Sequence, residues 1–228
     1  MFNQISKILP RSEWNKVTIE ENNEELIEVI ESKKLKIIEL EKSYQPVYFV
    51  RMVVAEKLYK AAELLPENIN LAFIEGYRSL KNQKDLWDAE FENLRELNPD
   101  WSNEKIEQQV RLVVARPHPL ANHHCGGAVD VTLIHSDGTF LDMGSPYPDK
   151  GYNIEIQKKY PMFGIDLSKE QANNRTLLRS AMSDAGFVYY PGEWWHYCYG
   201  DRMWAVYTDQ ESCFYGPVDM EGGQDVKV

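Results

Sequence analysis

The run ANHHCGGAVDVTLIHSDG (residues 121–138) changes character at its middle. Its second half, Ala128 to Ile134, reads as a β-strand that ends at the turn signal Ser136-Asp137-Gly138. On a strand, successive side chains point to opposite faces, so Val129, Val131 and Leu133 share one face and Asp130 and Thr132 the other. The Gly126-Gly127 pair just before it lets the backbone turn sharply. A side chain ahead of that turn can then face one on the strand behind it. His123 and Asp130, with six residues between them, are such a pair. An aspartate flanked by valines is costly to bury unless a metal ion or a cationic partner compensates its charge. The alternative is that Asp130 lies on the solvated face of an edge strand, and the spacing alone does not choose.

Outward from this run, the chain alternates irregularly between helical and strand-like patterns. Val54, Leu58, Ala61 and Leu65 form the apolar stripe of an amphipathic helix over 51–65, stopped by Pro66. The segment 71–75 reads as a buried strand. Helices are predicted over 79–97, with Leu86, Phe91 and Leu94 inward, and over 103–114, capped by Ser102. LKIIEL (35–40) is too short for periodicity to decide between strand and helix. Residues 139–168, rich in Gly, Pro and Asp, read as a long surface loop. A helix over 170–185 ends at Gly186. The aromatic segments FVYY (187–190), HYCYG (196–200) and WAVYT (204–208) read as strands. This order predicts an α+β fold rather than repeated βαβ units.

With 228 residues, the chain has the length of one domain, spanning 1–228, with the charge-rich segment 1–40 packing on it. Hydrophobic residues at 43% and charged residues at 27% exclude a disordered chain. Lys plus Arg number 25 and Asp plus Glu 36, a formal charge of −11, which argues against nucleic acid and anionic membranes as partners. No apolar run approaches the ~20 residues of a membrane span. The first twenty residues lack the apolar core of a signal peptide. A cytoplasmic protein is expected, or one from which a signal has been trimmed. Cys125, Cys198 and Cys213 form no CxxC pair and read as reduced thiols. Oligomeric state is not fixed by the sequence, and a homo-oligomer stays open.

A second chemical constellation lies in GEWWHYCYG, where Glu193 and His196 form Glu-x-x-His among aromatic residues. Aromatic neighbours lower the local dielectric, which raises a carboxylate pKa toward the range of a general base. His123, Asp130 and His196 together make a three-ligand set suited to zinc, with a fourth position left for water. Glu193 then remains to take a proton from that water. Arg78, after Gly76-Tyr77 at the end of the strand 71–75, can reach into a cleft to bind a carboxylate or an oxyanion. A surface ion pair is the alternative, and Glu75 beside it can be the partner of Arg78 in either case.

HHCGGAVDVTL, LDMGSPYPD, NRTLLRSAMSDAGFVYYPGEWWHYCYGDRMWA and EGYRS resemble the VanX-type D-Ala-D-Ala dipeptidases, zinc peptidases related to the D,D-carboxypeptidases. The resemblance covers roughly residues 45–208, and EWWH is similar to the dipeptidase branch. It implies one compact α+β domain whose small, mainly antiparallel sheet carries the site, flanked by helices. It implies one zinc ion on His123, Asp130 and His196, with Glu193 as general base and proton donor and Arg78 stabilising the tetrahedral intermediate. The implied substrate is the dipeptide D-Ala-D-Ala, with a carboxypeptidase acting on peptidoglycan stem peptides, or a non-catalytic zinc-binding relative, as the alternatives. Glu75, Tyr77 and Asp149 are the expected substrate contacts, and Asp142 is a further candidate for the amino end. Ala121 stands where many relatives have Ser, and Glu75 where the family often has Asp. Cys125 as a fourth ligand would close the site to water, and His124 is expected to pack rather than ligate.

Overall fold

The structure, a computed structural model, describes residues 7–40, 42–118, 120–147 and 154–220. The strands are β1 (Thr18–Ile19), β2 (Leu26–Glu28), β3 (Leu35–Ile37), β4 (Phe49–Arg51), β5 (Ile69–Glu75), β6 (Ala128–His135), β7 (Val188–Tyr189), β8 (His196–Cys198) and β9 (Ser212–Cys213). The helices are α1 (Arg11–Trp14), α2 (Met52–Glu63), α3 (Leu80–Leu97), α4 (Asn103–Val110), α5 (Ile154–Gln157), α6 (Lys169–Asp184) and α7 (Arg202–Tyr207). The central sheet runs β3-β5-β6-β8-β7, antiparallel except for the parallel pair β3–β5. Small pairs β1–β9 and β2–β4 flank it. This is the α+β arrangement with a small, mainly antiparallel sheet flanked by helices. No helix among the described residues is long and apolar enough to cross a membrane.

The apolar alternation of β6 settles its position. Val129, Val131 and Leu133 enter the main core with Leu71 and Phe73 of β5 and Val54, Leu58, Ala61 and Ala62 of α2. β6 is therefore not an edge strand: it is hydrogen-bonded to β5 on one side and β8 on the other. Asp130 is buried, and the solvated-edge alternative is excluded. Helix ends follow their caps. Ser79 accepts from Asn82 N, Ser102 from Lys105 N, and Ser168 forms a capping box with Gln171.

Four expectations need correction. The segment 139–168 is not a surface loop throughout: it carries α5, and Leu141, Met143, Tyr160 and Met162 enter the main core. WAVYT is not a strand but belongs to α7, because the Asp201 side chain accepts from Trp204 N at 2.8 Å and caps a helix there. Its β-branched and aromatic residues suggested a strand, but tertiary packing and the cap override that weak preference. In α3 the buried residues are Gln83, Trp87 and Leu94, whereas Leu86 and Phe91 are only partly buried against the α3–α4 cluster. The helix expected over 103–114 ends at Val110, followed by a turn. The undecided segment 35–40 supplies strand β3.

Candidate active site

Strand register lays out the site. Across the sheet, Glu75 of β5 is opposite Asp130 of β6, which is opposite His196 of β8. The first of these pairings depends on a register shift in β5 between Phe73 and Glu75. Phe73 pairs with Val131, so regular antiparallel counting would set Ile74 opposite Asp130 and Glu75 opposite Val129. The extra residue brings Glu75 beside Asp130 instead.

His123 arrives from a 3₁₀ turn over Asn122–Cys125, which ends at Gly126 in the left-handed region with φ +74°. A side chain there would be strained by backbone conformation and would also meet Leu26 Cδ2 at 2.4 Å. The His123 ring is oriented by Gly76, whose carbonyl lies 2.7 Å from Nδ1. That nitrogen donates, which leaves the lone pair on Nε2. Gly76 has no room for a side chain, since a Cβ would lie 2.4 Å from Phe49 O.

His123, Asp130 and His196 each offer a ligand atom, and these atoms lie within 4.8 Å of one another. His123 Nε2 is 3.6 Å from Asp130 Oδ2, and His196 Nδ1 is 2.9 Å from Asp130 Oδ1. Zinc–ligand distances of about 2.0–2.2 Å put two tetrahedral ligands roughly 3.3–3.6 Å apart; the His123–Asp130 separation matches this, the His196–Asp130 hydrogen bond would open slightly on ligation, and the donor set fits that ion. Burial pushes the Asp130 carboxyl up, but the two imidazoles outweigh it and hold the group well below the usual carboxylate range. A carboxylate is thus kept ionised between two nitrogen donors, as a cation site requires.

Glu193 sits three residues before His196 and lines the same cleft. No hydrogen bond from the described residues holds its carboxylate. Burial raises its pKa to about 7, against the pull of His196. In the metal-free protein the native state keeps a proton that the unfolded chain releases near the ordinary 4.5. The stabilisation from this group is therefore complete below about pH 4.5 and is lost as pH rises through about 7. Relative to Glu193→Gln, the unfolding free energy of the metal-free protein should fall across that window, by up to about 1.4 kcal/mol per pH unit. Denaturant titrations of both proteins at several pH values measure it; a difference that is flat or rises with pH contradicts the reading.

Arg78 is buried behind this cluster. Its guanidinium donates to Glu75 through Nε and Nη2, to Gln83 Oε1 at 2.8 Å and to Tyr44 OH at 3.0 Å. Glu75, expected as a substrate contact, is instead saturated by protein groups: Arg78, Lys42, Tyr44 and Tyr147. Burial pushes its carboxyl up, but Arg78 and Lys42 overcome this and hold it far below the usual range. Tyr77 does not line the cleft; its hydroxyl donates to Val218 O at 3.0 Å and its ring packs on His124. Asp142 lies away from the cleft, accepting from Gly144 N and Gln171 Nε2. Asp149 lies outside the described residues. Cys125 donates to Asn122 O at 2.9 Å and is not in the ligand cluster.

Sequence reasoning missed Tyr147, Lys42 and Gln83. Tyr147 OH lies 2.8 Å from Asp130 Oδ2 and 3.1 Å from Glu75 Oε2, bridging the ligand cluster and the Arg78 network. The loop carrying it is fastened by Arg175, which donates to Met143 O at 2.7 Å, and by Trp194 Nε1, which donates to Ser145 Oγ at 2.9 Å. Tyr147 stands within LDMGSPYPD, so the motif was visible although the residue's role was not.

Several known proteins are similar to this chain. The D-alanyl-D-alanine dipeptidase of Synechocystis sp. is 28% identical over 200 residues, covering 75% of this chain and 80% of that one. The D-alanyl-D-alanine dipeptidase of Enterococcus faecium is 32% identical over 153 residues, covering 65% and 72%. The solved structure of VanYB in complex with D-alanine-D-alanine is 15% identical, covers 86% of this chain and 94% of that one, and superposes with a TM-score of 0.45. The peptidase family M15, described as D-ala-D-ala dipeptidase, matches residues 44–217, a span that takes in Glu75, Arg78, His123, Asp130, Glu193 and His196. The chain belongs to that family.

Proposed function

We propose that this protein is a zinc metallopeptidase that hydrolyses D-Ala-D-Ala to two D-alanines. The observation that carries the reading is the convergence of two imidazoles and one carboxylate within 4.8 Å, with Glu193 in the same cleft. His123 Nε2, Asp130 and His196 Nδ1 would hold one zinc ion. Such an ion lowers the pKa of a bound water to about 7 and polarises a carbonyl oxygen. The remaining chemistry belongs to the chain. Glu193, whose pKa lies where a proton can be both taken and given near neutrality, accepts the proton of the attacking water. It then returns that proton to the leaving amine. Arg78, held by Glu75 and Gln83, keeps donors free to stabilise the oxyanion of the tetrahedral intermediate. Tyr147 fixes one oxygen of Asp130, and the Trp195 ring packed against it helps exclude water. Three buried free cysteines suit a reducing compartment, and the reading is of a cytoplasmic enzyme.

The test is release of D-alanine from D-Ala-D-Ala by the purified protein, with and without a chelator, beside L-Ala-L-Ala and a stem pentapeptide. The expected result is turnover of D-Ala-D-Ala alone, abolished by the chelator and restored by zinc. Preferential cleavage of the pentapeptide would move the protein to the carboxypeptidase reading. Stoichiometric zinc without hydrolysis would leave only a binding protein.

A further inference from the structure

Lys42 lies ahead of the matched span and has no part in the chemistry above, yet it is buried in the active-site cleft. Its Nζ is 2.5 Å from Glu75 Oε2, with the side chain only 8% exposed. It sits over two rings, 5.6 Å from the Tyr44 centroid and 5.4 Å from that of Tyr147. It lines the same cleft as His123, Asp130, Glu193 and His196.

Glu75 is a single carboxylate engaged by two cations, Arg78 and Lys42. A second carboxylate that acts on Lys42, Asp130, belongs to the ligand cluster with His123 and His196. With the Asp130 charge taken up by a cation in the ligand cluster, one positive charge of the Arg78–Lys42 pair is left over in a largely desolvated place, where an uncompensated ion is costly. An ammonium has three donors, and one of them is used, on Glu75. The pocket around Lys42 thus favours an anion. Burial lowers the Lys42 pKa and Glu75 opposes that effect, consistent with an under-compensated cation.

The position fits a particular anion. Contacts of 2.5, 3.1 and 2.8 Å connect Lys42 Nζ to Asp130 Oδ2 through Glu75 and Tyr147. In a dipeptide the free carboxylate lies one residue, roughly 3.3–3.6 Å of extended backbone, beyond the scissile carbonyl. With that carbonyl at the ligand cluster, the carboxylate comes within reach of the ammonium. We propose that Lys42 recognises the free carboxylate of the substrate and makes the site selective for peptides that end one residue after the cleaved bond. This rests on the peptidase reading given above.

The experiment compares the zinc-loaded wild type with Lys42→Met and Lys42→Arg on D-Ala-D-Ala and its C-terminal amide, which lacks the negative charge. Loss of a charge-assisted contact should raise KM for the free acid ~10–100-fold in Lys42→Met, with kcat changed only a few-fold. The amide should be affected less than about threefold, so the acid-over-amide preference collapses, and Lys42→Arg should restore most of it. Equal losses on both substrates would mean that Lys42 only supports Glu75 and Arg78, and would overturn the proposal; unchanged kinetics would do the same. Circular dichroism and thermal unfolding check that the variants fold. If the wild type cleaves neither peptide, the peptidase reading has failed. Calorimetric binding of D-Ala-D-Ala to wild type and Lys42→Met then decides the carboxylate site separately, with equal affinities counting against it.

Discussion

Glu193→Gln should bind zinc as the wild type does and hydrolyse D-Ala-D-Ala ~10²–10⁴-fold more slowly, the range that positioned general acid–base groups contribute. The substitution is close to isosteric, and Glu193 is not among the three clustered ligand residues, so the metal site should be untouched. Glutamine cannot accept the proton of the attacking water at neutral pH, nor deliver one to the leaving amine, and both transfers are lost together. The effect should appear in kcat more than in KM, because the proton moves only as the transition state forms. Burial makes the contrast sharper, since a carboxyl near pKa 7 is matched to reversible transfer in a way an exposed glutamate is not. Zinc content by elemental analysis, alongside steady-state kinetics, reads the result. If zinc and activity disappear together, Glu193 is a ligand and another group is the base. If activity persists within tenfold, proton transfer does not limit the reaction and the assigned role is wrong.

The parts of this site that were legible in the sequence are those set by local chemistry. The alternation over 128–134 separates Asp130 from the valines beside it, and the glycine pair marks the turn that returns His123 toward the strand. Serine caps and Gly186 mark helix ends because their hydrogen bonds are made within a few residues. What stayed hidden depends on distant partners. Period-two counting along β5 puts Glu75 on the core face with Phe73, and only the register shift brings it beside Asp130. Nothing local announces that shift. The family resemblance implies a substrate contact for Glu75, whereas four side chains already occupy it, Arg78 as its expected partner and Lys42, Tyr44 and Tyr147 from distant segments. Lys42 and Tyr147 are 33 and 72 residues from Glu75, and each looks like an ordinary loop residue until the sheet brings them together. WAVYT failed differently: its composition favours a strand, and the one residue that decides otherwise, Asp201, precedes it.

Asp130→Asn should abolish both zinc binding and turnover while leaving a folded protein. Asp130 occupies the centre of the arrangement, on a strand paired on both sides, with Glu75 and His196 as cross-strand neighbours. Asparagine keeps the shape and still offers an oxygen to His196 Nδ1, so the sheet need not rearrange. It removes the negative charge between the two imidazoles, and a neutral amide is a poor ligand for zinc compared with a carboxylate. Thermal unfolding reads this without any enzymatic assay. A ligand at 100–1,000 times its Kd stabilises the native state by about 2.7–4.1 kcal/mol. For a chain of this size that corresponds to a rise of roughly 5–15 °C in Tm. The wild type should show such a rise on adding zinc, and Asp130→Asn should move by less than about 2 °C. His135→Ala is the comparison. His135 ends the same strand but is not in the cluster, so its loss should leave the zinc-induced shift intact. A full shift in Asp130→Asn would place the metal on other residues. A full shift in Asp130→Asn together with its loss in His135→Ala would mean that the strand's far end, not its centre, binds the ion.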